Sequence, residues 1–429
     1  MEEFISIRGG LVILSIVTGI FLTFRKPKFG IIAFIILLFM RDGFFLLEFP
    51  AVYRVLHLPK VFGVLTLISW FIHRKGQPVQ LPFQFWLMLL FFVVICLSRG
   101  LAGTSPFEAK PPQEFLKFCV LFFLIVNVID TEKDLREVVW VLIMVSVCMV
   151  LYHYYHYKTG WRSIFVVPNF GTLNRNGFAI TLASLVPFAY VFLRERRPIL
   201  IKGLLAFSLF FFIVGIILTY SRGGFLALCI ALASLILYDR SKARPIFLVL
   251  ILSALIIPRL SEKYFNRIST IINYHQEASA MIRVATNKAA LNMVKRHPLF
   301  GVGAGNFPYT FFDYTPDDLK KWVEPGINSH NLTLQVASET GIIGLVIFLL
   351  LVIKTLIDAM KLRKLCLQHG KFESLANIAS ALGIGLFTYF MALQTGQGAY
   401  YGYIHVFIPL TVAAKQIFHL EEVSGARET

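Results

Sequence analysis

Apolar stretches recur along the whole chain, separated by short polar connections. Leu204–Leu218, Phe225–Leu237 and Ile342–Ile353 are among the clearest. A helix needs about 17–25 apolar residues to cross a bilayer. On that criterion the pattern predicts spans at 9–24, 29–49, 58–72, 83–100, 114–129, 137–157, 173–193, 203–220, 223–238, 245–258, 331–353, 372–393 and 401–418. No segment alternates like the strands of a membrane barrel, and backbone in lipid must satisfy its own hydrogen bonds, which leaves helices. The expected architecture is all-α: a polytopic integral membrane protein of 12–13 transmembrane helices. It forms a single membrane domain over 1–429, with one large extramembrane loop, 259–330, that holds short helices. The start, Met1-Glu2-Glu3 followed by Arg8, lacks a basic leader and a small-residue cleavage site, so the first helix is expected to be retained.

The polar connections divide by charge. Arg25-Lys26-Pro27-Lys28, His73-Arg74-Lys75, Arg194-Glu195-Arg196-Arg197, Asp239 to Arg244 and Lys361 to Lys371 are basic. Lysine and arginine are retained on the cytoplasmic side, so these connections belong inside. The alternate connections, 50–57, 101–113, 158–172, 220–224, 259–330 and 394–400, then face outside. Composition agrees with a membrane chain: 57% of residues are hydrophobic and 15% charged, against roughly 25% charged in soluble proteins. The net charge of +17 is explained by the inside connections and anionic lipid, and no basic face interleaved with aromatics points to nucleic acid. Cys96, Cys119, Cys148, Cys229 and Cys366 lie in or beside apolar spans without paired spacing. They read as small buried apolar residues.

Within the large loop, Ser279–His297 is rich in helix formers and stops at Pro298. Gly301-Val302-Gly303-Ala304-Gly305-Asn306 follows as a turn. Its spacing does not fit a dinucleotide loop and no strand precedes it. Two readings remain: a turn that lets backbone pack close to a helix, or a nest of N–H groups facing phosphate. Tyr309-Thr310-Phe311-Phe312-Asp313-Tyr314 and Trp322 supply aromatics expected at interfacial depth. The loop is expected to form a helical lid on the outer membrane face.

Four ionisable residues stand out on that side. His330, in Asn328-Ser329-His330-Asn331, marks the point where the loop meets the span after it. Arg222 sits between two spans in Tyr220-Ser221-Arg222-Gly223-Gly224, Arg283 lies in the loop helix, and Glu339 lies more than two turns into the span after His330. Ionisable groups at the membrane edge are costly and usually functional. The alternatives stay open: each arginine could snorkel to headgroups, the histidine could belong to a helix cap, and the glutamate could pair with a buried donor. Taken together, two guanidinium groups can fork onto a diphosphate, and a neutral imidazole can accept a proton from an attacking hydroxyl. No outer-side cluster has metal-ligand spacing, so the set suits a transfer that needs neither metal nor cofactor.

Three segments carry a family resemblance. They are Thr219-Tyr220-Ser221-Arg222-Gly223-Gly224; Arg283 through His297-Pro298-Leu299-Phe300-Gly301-Val302-Gly303-Ala304-Gly305-Asn306-Phe307; and Ser329-His330-Asn331 with Glu339-Thr340-Gly341-Ile342-Ile343-Gly344. In order and spacing they resemble the bacterial O-antigen ligase/polymerase superfamily, over roughly residues 165–355. The N-terminal Arg25-Lys26-Pro27 and Met40-Arg41-Asp42 are faintly similar to its O-glycosylation ligases. The resemblance implies a multi-pass protein of the bacterial inner membrane with its site facing the periplasm. It implies a glycosyltransferase that takes a glycan from undecaprenyl diphosphate and transfers it to an acceptor hydroxyl, a lipid A-core sugar above all. Arg222 and Arg283 would bind the diphosphate, His330 would activate or hold the acceptor, and Asn174, Arg175, Asn176 and Glu339 would line the wall of the site. A polysaccharide polymerase, a protein O-oligosaccharyltransferase and, from another class, a lipid-linked glycan transporter are the alternatives.

Overall fold

The computed structural model describes residues 7–40, 57–74, 76–103, 111–158, 175–239, 241–247, 250, 278–396, 398–400 and 402–425. Among these residues every regular element is a helix. In chain order they are α1 (Ile7–Arg25), α2 (Pro27–Met40), α3 (Leu58–His73), α4 (Phe83–Leu101), α5 (Pro111–Val128), α6 (Glu132–Lys158), α7 (Arg175–Arg194), α8 (Ile199–Leu218) and α9 (Arg222–Tyr238). Then come α10 (Ala278–Arg296), α11 (Phe307–Tyr314), α12 (Asp317–Lys320), α13 (Leu332–His369), α14 (Glu373–Ala392), a 3-10 turn at Leu393–Thr395, and α15 (Ile404–Gly425). Twelve of the predicted spans fall on a helix within the described residues; 41–49 of the second span and nearly all of 245–258 lie outside them. Seven of the helices are long and apolar enough to cross a membrane, and four more are apolar but shorter. The chain is thus an all-α, multi-pass membrane protein.

α7 is the axis of the bundle. Its residues Phe178–Phe192 are buried without interruption, and α8, α9 and α14 pack around it. A helix apolar on every face belongs in a core. By contrast, α1, α3 and α4 leave Val17, Phe21, Phe71, Trp86 and Leu90 on the outside, the surface expected toward lipid.

The polar contacts separate the two ends of the bundle. At one end Lys28 pairs with Asp134 (2.6 Å) and Glu137 (2.7 Å), Arg136 with Glu195 (2.8 Å), and Arg194 with Asp239 (2.7 Å). Arg363 donates to the Tyr238 carbonyl at 2.9 Å. This end gathers the basic connections. At the other end Arg99 reaches the Ala304 carbonyl (3.0 Å), Ser221 reaches Asn176 (2.7 Å), and Thr333 reaches Gln394 (2.8 Å). Arg222, the described part of the loop and the start of α13 that carries His330 share this end; of the connections expected outside, 50–56, 104–110, 159–172 and 259–277 lie outside the described residues.

Three features depart from the sequence reading. The basic stretch 361–371 is not a connection up to its end, because α13 runs on to His369 and is closed by Gly370 in the left-handed region (φ 66°). The 28 residues from Ile342 to His369, beyond the break at Gly341, make about 42 Å at 1.5 Å per residue, still beyond a hydrocarbon core of about 30 Å. The helix therefore projects past the bilayer at the basic end. Second, the loop has its own core: Ala285, Ala289, Ala290 and Met293 on one face of α10 meet Phe307 and Phe311 of α11, with Val302, Leu319 and Val323. Phe311 is therefore core and not an interfacial anchor, while Tyr309 stays exposed. Third, only Cys119 and Cys366 are buried; Cys96, Cys148 and Cys229 are exposed on apolar helices, and all five are free thiols.

Candidate functional site

The turn before α9 is built to present Arg222. Ser221 caps the helix: its Oγ accepts from the Gly224 N–H (2.9 Å) and donates to Asn176 Oδ1 (2.7 Å). Thr219 Oγ1 accepts from the Ser221 N–H at 3.2 Å. Tyr220 takes φ 51°, a left-handed value uncommon outside glycine. A cap of this kind is worth about 1 kcal/mol. Gly224 lies directly on Ala179 of α7, leaving no room for a side chain, and Gly223 lies beside Thr395 Oγ1. Arg222 is the first residue of α9, where the positive end of the helix adds to the guanidinium charge. The site favours an anion for both reasons.

Asn176 accepts from the Ser221 hydroxyl and so props the turn that carries Arg222. Arg175, half-buried, is the first residue of α7. Asn174 lies outside the described residues.

His330 is held by the turn that starts α13. Asn331 caps the helix, accepting from the Leu334 N–H at 3.0 Å, and Ser329 Oγ accepts from the Asn331 N–H at 3.3 Å. Thr333, three residues past His330, donates to Gln394 at 2.8 Å. Segment 393–395 therefore touches both the Arg222 turn, through Thr395, and the His330 helix start, through Gln394. Arg283 is half-buried on α10 and close enough for its charge to act on the His330 imidazole. Burial first, and then the Arg283 charge, pull the His330 imidazole down to about 4. Both causes disfavour the cation, so the ring is neutral at pH 7 and free to accept a proton.

Glu339 and the glycine loop belong together. α13 is broken at Gly341 (φ 70°, ψ −173°). At this break the Pro298 carbonyl accepts from the Ile342 N–H at 2.8 Å. The Ser338 and Glu339 carbonyls accept instead from the Val302 N–H (2.9 Å) and the Gly303 N–H (3.1 Å). Ser98 Oγ also donates to the Glu339 carbonyl at 2.5 Å. A side chain at Gly301 or Gly341 would strike the facing backbone, and both residues lie at positive φ. The Glu339 carboxylate, 1% exposed, accepts from the Phe307 N–H at 3.1 Å and from the Gly305 N–H, with Tyr400 beside it. Gln335 Nε2 lies 3.5 Å from it. The close-packing reading of the glycines holds. The N–H groups of Gly305 and Phe307 point at the protein's own Glu339 side chain.

Sequence reasoning missed Ser221, Gln335, Gln394 and Thr395. Gln335 sits four residues before Glu339 on one helix face, a spacing that could have signalled it. Thr395 and Gln394 carry no local signal, because their role comes from a contact between segments more than sixty residues apart.

A family model described as O-Antigen ligase matches residues 207–349. That third of the chain contains Arg222, Arg283, His330 and Glu339, and leaves Asn174, Arg175 and Asn176 outside it. No curated protein matches the chain.

Proposed function

Given that the chain belongs to the O-antigen ligase superfamily, whose members are ligases and polymerases that transfer glycans, we propose that it moves a glycan from undecaprenyl diphosphate to an acceptor hydroxyl. The reaction takes place on the periplasmic side of the bacterial inner membrane, with a lipid A-core sugar as the acceptor. One observation carries this reading: the Arg222 turn lies beside Thr395 and the His330 helix start is hydrogen-bonded to Gln394 of the same short segment, while the Arg283 charge bears on the His330 imidazole.

Arg222 and Arg283 grip the diphosphate, Arg222 aided by the N-terminus of α9. Neutral His330 takes the proton of the acceptor hydroxyl. The acceptor oxygen then attacks the anomeric carbon as the bond to the diphosphate oxygen breaks, which inverts the configuration. Negative charge grows on the leaving diphosphate, and fixed guanidinium groups stabilise it most in the transition state. The loop core over α10 and α11 limits water at the reacting carbon.

The test is transfer by purified protein carrying Arg222→Ala, Arg283→Ala or His330→Ala, each checked for membrane insertion. Each variant should insert normally and lose transfer. Full activity in all three overturns the assignment.

A further inference from the structure

Glu339 is buried, and the transfer chemistry does not use it. Three observations bear on its role. The first is the break in α13. A helix that opens at Gly341 leaves carbonyl and N–H groups without intrahelical partners, and buried orphans of this kind are costly. Here Pro298, Val302 and Gly303 supply every replacement partner named above, so the loop backbone completes the membrane helix. The second is the carboxylate. It accepts from Phe307 at the first residue of α11 and from Gly305 in the loop, acting as a helix cap contributed by another segment. The third is the path onward. α11 shares a core with α10 through Phe307, Phe311, Ala285 and Ala289, and α10 carries Arg283. On the other side of Glu339, the first turns of α13 lead back without a break to His330.

We propose that Glu339 is a positioning residue, whose carboxylate locks the glycine loop to the broken membrane helix and thereby sets where the lid holds Arg283 relative to His330. This rests on the function proposed above. Stability alone does not call for a carboxylate here, because a well-packed apolar residue at a buried site is often no less stable than a paired charge. What the carboxylate adds is a unique register between loop and helix.

The experiment uses the full chain in nanodiscs, with a lipid-diphosphate glycan as donor and a core saccharide as acceptor. Glu339→Gln keeps the size but turns one acceptor oxygen into a donor facing N–H groups. Glu339→Asp keeps the carboxyl group but is one methylene too short to reach both N–H groups. Initial rates are measured against each substrate, together with thermal unfolding and with Arg283→Ala in parallel. The KM for the donor should rise about tenfold in Glu339→Gln, the loss expected for about one hydrogen bond, and less in Glu339→Asp. The KM for the acceptor should stay as it is in the parent. Unchanged donor KM in both variants, with only a lowered unfolding temperature and with Arg283→Ala inactive, overturns the positioning role alone. Activity in Arg283→Ala overturns the reading beneath it.

Discussion

The sharpest consequence of the site is its response to pH. An ordinary imidazole titrates near 6.5, and burial together with the Arg283 charge brings His330 to about 4. The free enzyme therefore loses its proton acceptor only as pH falls through about 4. At pH 5.5 an ordinary histidine would be about one-tenth neutral, whereas His330 should be almost wholly neutral. The difference is about tenfold in kcat/KM, which reports the free enzyme. Bound diphosphate brings negative charge to Arg283, favours the imidazolium and raises the His330 pKa. The acid limb of kcat, which reports the bound complex, should therefore lie at higher pH than that of kcat/KM. The assay is initial-rate transfer from pH 4 to 8, with donor varied around its KM and an unfolding scan at each pH. A tenfold fall in kcat/KM between pH 7 and 5.5 in folded protein, or a kcat limb below that of kcat/KM, refutes the argument.

Other expectations follow from the same geometry. Gly341→Ala should abolish transfer and lower the unfolding temperature of the inserted protein: a left-handed backbone is strained by about 1–3 kcal/mol for a non-glycine residue, and the new methyl would meet the Leu299 carbonyl. Ser221→Ala removes the α9 cap and the Asn176 contact, and should lower stability by about 1 kcal/mol while raising the donor KM. Asn176→Ala should reproduce the kinetic part of that effect through the same turn. Arg222→Lys keeps the charge but loses the bidentate fork, so kcat should fall while insertion, measured by membrane fractionation, is unchanged.

How much of this was legible in the sequence depended on whether the information was local. Span positions follow from hydropathy, and the two ends follow from lysine and arginine. The α10 boundary was readable because good helix formers run into Pro298. The extension of α13 was not: Lys354, Asp358, Lys361 and Arg363 interrupt the apolar pattern, yet Asp358 is buried between Lys354 (2.5 Å), Lys415 (3.2 Å) and Gln84 (2.5 Å), and the helix continues. The break at Gly341 was equally hidden, since its replacement partners come from a loop some forty residues upstream. Phe311 was misplaced because an aromatic that belongs at an interface and one that fills a small core look alike without the Ala285–Ala289–Ala290 face that receives it. For the candidate site, the three ionisable positions were visible as motifs. Segment 393–395, which lies beside one of them and bonds the helix that follows another, was visible only in the fold.

The central claim is a covalent transfer with a polyprenyl diphosphate as leaving group. Incubating the purified protein with a lipid-diphosphate glycan and a lipid A-core acceptor, then weighing the products by mass spectrometry, tests it most directly. The expected products are an acceptor heavier by one glycan with inverted anomeric configuration, and one free polyprenyl diphosphate for each transfer. Intact donor with an unmodified acceptor, or donor merely moved across the membrane, would contradict the claim.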